Sequence, residues 1–334
     1  MAARLTNNTT AGKAASLAEG LLSSGVDTVI PFVFRRLLSA IPTLFIIITI
    51  SFFLIRLAPG GPFDLERPLE AKVMENLQKI YGLDRPLFEQ YLRYLAAVVQ
   101  GDFGPSFIMR DFSVAELFAN GLPVSMRIGG LALGLAIIVG GTLGSIAAFR
   151  QNSTIDYMVS GLGTFGLTIP TFVIAPVLQI VFGLALALLP VAGWAGGAPR
   201  NLILPVITLA LPQIAIIARM TRAAMIENLR SNHIRTLRSL GLPRWVIVRH
   251  ALRGAALPVV SYLGPAAAAL LTGSVVVETI FALPGVGRYF VEAALNRDYT
   301  LVMGTVVVVA VFVLIFNLIV DILYAVIDPR VRYD

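Results

Sequence analysis

The chain has 334 residues, 57% of them hydrophobic and 13% charged, with a mean hydropathy of +0.83; a soluble domain carries about 25% charged residues, so a surface facing only water is excluded. Three of the 26 basic residues are Lys and eight Arg crowd between Arg219 and Arg253, so the net charge of +7 is one concentrated patch and not a nucleic-acid groove. With no Cys there is neither a disulfide framework nor a thiolate metal site.

Residues 1–31 are small and polar, with no apolar run followed by a cleavage site, and read as a cytoplasmic tail with a weak helix near Ala14–Leu22. A helix needs roughly 20 apolar residues to cross a bilayer core of about 30 Å. The first such span is predicted over Phe32–Leu57, with Arg35–Arg36 at its start. Next, residues 58–121 form a long loop with two helical stretches, Pro68–Ile80 and Pro86–Gln100. It reads as a small structured lid that shields the helix ends or meets an external partner. The breakers Gly101-Asp102-Phe103-Gly104-Pro105 end its second helix.

Five more spans follow: Leu122–Phe149, Ile155–Leu189, Leu202–Met225, Leu257–Ala282 and Leu301–Ile327. The third is too long for one straight crossing, and Pro170 and Pro176 are expected to kink it. The fold class is therefore all-α and polytopic, divided into a tail (1–31), a first span with the large external loop (32–122) and a five-helix core (123–334). Basic residues in short loops favour the cytoplasm. Placing the Arg219–Arg253 cluster inside puts both termini inside and the loops 190–201 and 283–299 outside.

Two absences narrow the chemistry. No GxxxxGK[ST] loop is present to cradle a nucleotide's phosphates, and no HExxH pair to hold zinc. No catalytic centre, cofactor or metal is expected. Ionisable groups inside membranes are costly and mark candidate sites. Those here lie near span ends: Glu278 and Arg127 toward the outside, Asp321 toward the inside with Asn317 one turn before it. All read as translocation-path or helix-packing candidates, with structural polarity favoured. No carboxylate lies mid-membrane, which counts against a secondary, ion-coupled carrier. A scaffold without transport is the other rival.

The segment 222–253 is too polar for lipid. Ile226–Leu240 reads as one short helix, Gly241-Leu242-Pro243 as a corner, and Arg244–Arg253 as a second helix. At 100° per residue, Leu229, His233, Leu237 and Leu240 share a face, with Arg235 and Arg238 opposite. Both a lipid-headgroup helix and a helix docked in a protein groove fit that pattern.

Arg235-Thr236-Leu237, three residues, Gly241, and then the run to Leu257-Pro258 resembles the cytoplasmic signature loop of binding-protein-dependent ABC importer permeases. Arg235 stands where that loop has an acid, and Thr236 and Leu237 where it has alanines. Further stretches in order are similar to the B-type permeases of the oligopeptide/dipeptide family. They include Ala40-Ile-Pro-Thr-Leu-Phe, Gly101-Asp-Phe-Gly-Pro-Ser-Phe, Ser231-Asn-His-Ile-Arg-Thr, Glu278-Thr-Ile-Phe, Leu283-Pro-Gly-Val-Gly, Asn296-Arg-Asp-Tyr and Tyr324-Ala-Val-Ile-Asp-Pro-Arg.

This resemblance implies a permease subunit of an ATP-driven importer of oligopeptides in the bacterial plasma (inner) membrane. Dipeptides, nickel complexes or other peptide-like solutes are the alternative cargo. Implied partners are a second homologous permease in a heterodimer, two cytosolic ABC ATPases and an extracytoplasmic peptide-binding protein. ATPase coupling would fall to Arg235, Thr236, Leu237, Leu240, Gly241, Leu242, Pro243 and Arg244, with Arg249 and His250 bracing the corner.

Overall fold

The computed structural model describes residues 33–57, 71–80, 82–107, 109 and 111–327, without the side chains of 71, 77, 80 and 324–327. The weak helix expected near Ala14–Leu22 and the C-terminal segment from Asp328 lie outside these residues. Among the described residues every regular element is a helix, and the one isolated bridge joins Pro105 to Ser113. In chain order the helices are α1 (Val33–Leu57), α2 (Ala71–Ile80), α3 (Leu87–Val99), α4 (Val114–Phe149), α5 (Thr154–Thr168) and α6 (Thr171–Leu178). Then come α7 (Pro199–Leu229), α8 (Asn232–Ser239), α9 (Arg244–Leu271), α10 (Val275–Ile280), α11 (Val286–Leu295) and α12 (Tyr299–Ile327).

Five helices are long and apolar enough to cross a membrane, and six if the bent α5–α6 pair counts as one span. The expected kink in the third span is present and sharp. α5 and α6 meet at 102° across Ile169–Pro170, and α6 runs on as a π-helix over Gln179–Ala185. Pro170 has no N–H to extend α5 and disfavours helical geometry at Ile169, which is extended at ψ 118°.

Two boundaries differ from the sequence expectation. α4 begins at Val114, ahead of Leu122, because Ser113 and Glu116 form a reciprocal capping box. The fifth span is displaced: Arg244–Arg253 and the apolar stretch after it are one continuous helix, α9, which ends at Leu271. Gly273, at φ +103°, then breaks the chain before the short α10 that carries Glu278.

α4, α7 and α9 form the centre of the bundle, with Ile128, Ala132, Leu204, Ala210 and Leu270 buried between them. Lipid is as apolar as these side chains, so packing and close backbone approach hold such helices together. Gly140 and Gly144 on α4 supply that approach. A Cβ at Gly140 would stand 2.8 Å from the Ile214 carbonyl, and one at Gly144 would collide with that of Ala218. Gly144→Ala is expected to lower stability by about 1–3 kcal/mol through overpacking. Gly134→Ala, with open space around it, should leave stability unchanged or raise it; thermal unfolding in detergent compares the two.

At the other end of the bundle from α8, the lid is stitched to the spans. α3 lies alongside the last turns of α1: Thr49 Oγ1 is 2.6 Å from Tyr91 Oη, Arg56 Nε donates to Gln90 Oε1 at 3.1 Å, and Phe52, Tyr91 and Met303 share a buried cluster. The Gly101–Ser106 turn is pinned by Asp298, which accepts from Ser106 Oγ (2.5 Å), Phe107 N (3.0 Å) and the first amides and hydroxyl of α12, Leu301 N and Thr300 Oγ1. Part of the lid is therefore wedged beside the spans instead of capping their ends.

Candidate functional site

The Arg-rich segment is built on the ends of α7, α8 and α9. The short helix expected over Ile226–Leu240 is divided: its first turn belongs to α7, which runs to Leu229, and α8 starts afresh at Asn232. Between them Ser231 Oγ donates to Asn228 O at 2.6 Å and pairs with His233 Nδ1 at 2.9 Å, so a local turn replaces the helix ladder. The break resets the helical phase. The buried face of α8 is Ile234, fully enclosed, and Leu237, half-buried; His233 and Leu240 are exposed, contrary to the face expected from sequence. Ile234 packs with Ala148, Met225, Ala251 and Ala255, which seats α8 across the ends of three long helices.

The corner is a Schellman turn. Leu242 N donates to Leu237 O (3.3 Å) and Gly241 N to Arg238 O (3.0 Å), with Gly241 at φ +70°. Pro243 then sits at the start of α9 with its fixed φ of −65°. Arg249 and His250 do not brace this turn: both are exposed on α9 and, among the described residues, make no hydrogen bond or ion pair to it. Backbone hydrogen bonds and the left-handed glycine hold it instead.

Its outward surface is apolar and ringed with cations. Leu240 is 69% and Trp245 65% exposed, with Leu242 beside them. Arg235, Thr236, Arg238 and Arg244 are exposed around these groups. Sequence reasoning passed over Trp245, although an aromatic side chain two positions past the corner, in a stretch too polar for lipid, is the signal that marks it.

Beneath the segment, Asp156 at the start of α5 takes both a Nε and an Nη2 hydrogen bond from Arg222 of α7, the latter at 2.7 Å, and accepts from Asn152 N at 2.9 Å. Arg230 Nη2 reaches Gln151 Oε1 at 3.1 Å. The α4–α5 loop is thus tied to α7 just before the break that launches α8.

The intramembrane candidates each contact another part of the chain. Glu278 is buried and receives Ser125 Oγ (2.7 Å) and Arg288 N (3.2 Å), while Ser125 Oγ accepts from Val286 N (3.0 Å), joining α4, α10 and α11. Asp321 pairs with Arg36 at 2.9 Å, linking the end of α12 to the start of α1. Asn317 lies against Gly264, where a Cβ would stand 2.9 Å from its Oδ1. Arg127 lies over the Trp194 ring at 5.8 Å. The geometry joins none of the four to the α8 corner.

Comparison with known proteins bears on what this arrangement serves. Residues 140–333 match the family described as binding-protein-dependent transport system inner membrane component, and residues 29–116 match the N-terminal model of the same transport components. The chain is 53% identical over 303 residues to the oligopeptide transport system permease protein OppB of Escherichia coli (strain K12), covering 90% of this chain and 99% of that protein. It is 50% identical over 303 residues to OppB of Haemophilus influenzae, again covering 90% and 99%. To the dipeptide transport system permease protein DppB of Bacillus subtilis (strain 168) it is 42% identical over 302 residues, covering 90% and 97%.

Proposed function

This chain belongs to the inner membrane components of binding-protein-dependent transport systems, a multi-pass permease subunit of an ABC importer and not an enzyme, and we propose that its cargo is oligopeptides and that the α8 corner is where ATPase motion enters it. The higher identity to oligopeptide than to dipeptide permeases supports that cargo. The family description implies a binding protein and ATPase partners. In the arrangement we propose, this chain pairs with a second, homologous permease, two cytosolic ATPases lie beneath the pair, an extracytoplasmic peptide-binding protein docks above it, and both termini are cytoplasmic.

One observation carries the coupling role: Leu240, Leu242 and Trp245 stand exposed on a corner whose own backbone is closed and whose Ile234 anchor is fully buried. A large exposed apolar group on a rigid mount fits a groove in a partner. An ATPase biases the permease only by binding its two conformations with different affinity. Moving a 1:99 equilibrium to 99:1 takes about 5.5 kcal/mol. Because α8 is packed on α4, α7 and α9 together, displacement of the corner moves all three, and Arg222–Asp156 carries it to α5.

In proteoliposomes holding the full complex, uptake of short peptides should require ATP and the binding protein and survive a protonophore. Uptake by this chain alone, collapsing with the proton gradient, would overturn the assignment in favour of a secondary carrier. The double variant Leu240→Glu, Trp245→Glu should lose co-purification of the ATPases, with the unfolding temperature of the chain unchanged because both side chains are exposed. Normal uptake by that variant would remove the corner from the mechanism.

A further inference from the structure

The lid holds a cavity far from the α8 corner. It has a volume of about 420 Å³ and is lined by Arg56, Lys79, Arg85, Arg93, Tyr94 and Asp102, among others. Among the described residues its charges do not balance. Lys79 is paired with Glu75, while Arg85 and Arg93 share the one Glu89. Asp102 is turned to the Gly104 amide, 2.8 Å away. Arg56 has no carboxylate among the described residues: its Nε donates to Gln90, and its guanidinium lies 3.7 Å over the Phe52 ring. Among the described residues, the terminal nitrogens of this half-buried guanidinium meet no acceptor. Beside it, the buried Tyr94 hydroxyl has no hydrogen-bond partner among the described residues.

A second observation sets the depth of this cavity. α3 packs against the last two turns of α1, from Thr49 to Arg56, and α1 is the least enclosed of the membrane-crossing helices. α3 buries Tyr91 against α1, yet leaves Phe88, Leu92 and Val99 exposed. These recur at helical spacing, so one apolar stripe runs along the helix away from the protein. An amphipathic helix at the level of the membrane surface, apolar outward and cationic beside it, is the pattern of a segment lying in the headgroup layer. Basic pockets between membrane helices take lipid headgroups.

We propose that the cavity holds the phosphate of an anionic phospholipid, with Arg56 and the Tyr94 hydroxyl as its donors, Arg93 and Arg85 at its rim, and the acyl chains against the Phe88–Leu92–Val99 stripe. Two terminal N–H groups of a guanidinium match two phosphate oxygens. The ring of Phe52 and the bond to Gln90 fix that guanidinium before the lipid arrives. Bound lipid would clamp α3 to α1, so the lid's position would depend on membrane composition.

The test is native mass spectrometry of the full-length chain, released from mild detergent after incubation with phosphatidylglycerol, with diacylglycerol of the same chains, or with inorganic phosphate. Wild-type chain should retain one phosphatidylglycerol and discriminate against diacylglycerol. Arg56→Gln should reduce retention about fivefold, the worth of one cation at a membrane surface, and Arg56→Lys should restore part of it. Arg93→Gln, at an exposed position that folding does not need, should reduce it less, and decides the matter if Arg56→Gln elutes as misfolded protein. Phe88→Asn with Leu92→Asn should weaken lipid retention as well. Equal retention by wild type and both arginine variants would overturn the proposal. So would inorganic phosphate that binds through Arg56 as tightly as the lipid, which would make the cavity a site for a free anion.

Discussion

Replacing Arg222 with alanine should destabilise the chain by about 3–5 kcal/mol, the usual result of stripping the partner from a buried charge. Asp156 is 2% exposed with Arg222 laid against it, whereas Arg222, at 28%, keeps some solvent. The asymmetry predicts the rest of the series. Asp156→Asn retains an acceptor for Asn152 N and leaves a cation that water still reaches, so it should cost less than Arg222→Ala. Removing both partners should recover much of the loss. Thermal and denaturant unfolding in detergent gives the three values. A cost for Arg222→Ala below about 1 kcal/mol, the level of an exposed pair, would show that the pair is not a structural tie. Because the same contact joins the α4–α5 loop to the root of α8, peptide uptake should fall in Arg222→Ala even at temperatures where the protein stays folded.

The second expected result is functional. Gly241→Val should lower ATP-driven uptake by about tenfold or more, while Gly241→Asn should stay close to wild type. Gly241 is at φ +70° and a Cβ there meets nothing within 4 Å, so contacts within the chain cannot explain any loss, and Gly241→Asn controls for added bulk at the ATPase face. What remains is backbone strain: a left-handed L-residue costs roughly 1–2 kcal/mol. Asn tolerates the region and a β-branched residue does not. Valine is thus expected to open the Schellman turn and free α8 to swing about Ser231. ATP hydrolysis would continue, unlinked from peptide uptake. Equal uptake by the two variants would mean that the stiffness of the corner does not matter.

The membrane spans were legible because roughly 20-residue apolar runs leave little choice, and the bend of the third span because two prolines announce it. What failed was phase and pairing. The face assigned to α8 was counted from Leu229, which belongs to α7; once Ser231 interrupts the ladder, Ile234 and Leu237 lie inward. The helix read over Arg244–Arg253 did not stop short of the fifth span: α9 runs on through Pro258 and Pro265 to Leu271, since a helix packed among others can have its freed carbonyls satisfied by them. The Ser113-x-x-Glu116 pattern was a readable start for α4 that hydropathy alone overrode. Arg222 and Asp156, 66 positions apart, could not be matched without the fold, and the same holds for Arg36 and Asp321. The Arg-rich segment was recognisable by its composition and its Gly-Leu-Pro corner, but the exposure of Trp245 beside that corner was not.

The enclosure of Glu278 bears on how such a chain can drift over generations. Its carboxyl fills the space left by the missing side chains of Gly273, Gly285 and Gly287, with Ser125 as the fourth wall. A methyl group at Gly285 meets only this carboxyl, while one at Gly273 or Gly287 also runs into a backbone nitrogen within 2.8 Å, so a shorter acid makes room at Gly285 alone and strands the Ser125 hydroxyl. Glu278 and Gly285 are therefore inherited as a pair, walled in by positions that take no side chain on either background. Chimaeras that splice α4 from one homologue to α10 and α11 of a distant one should fail at this joint first.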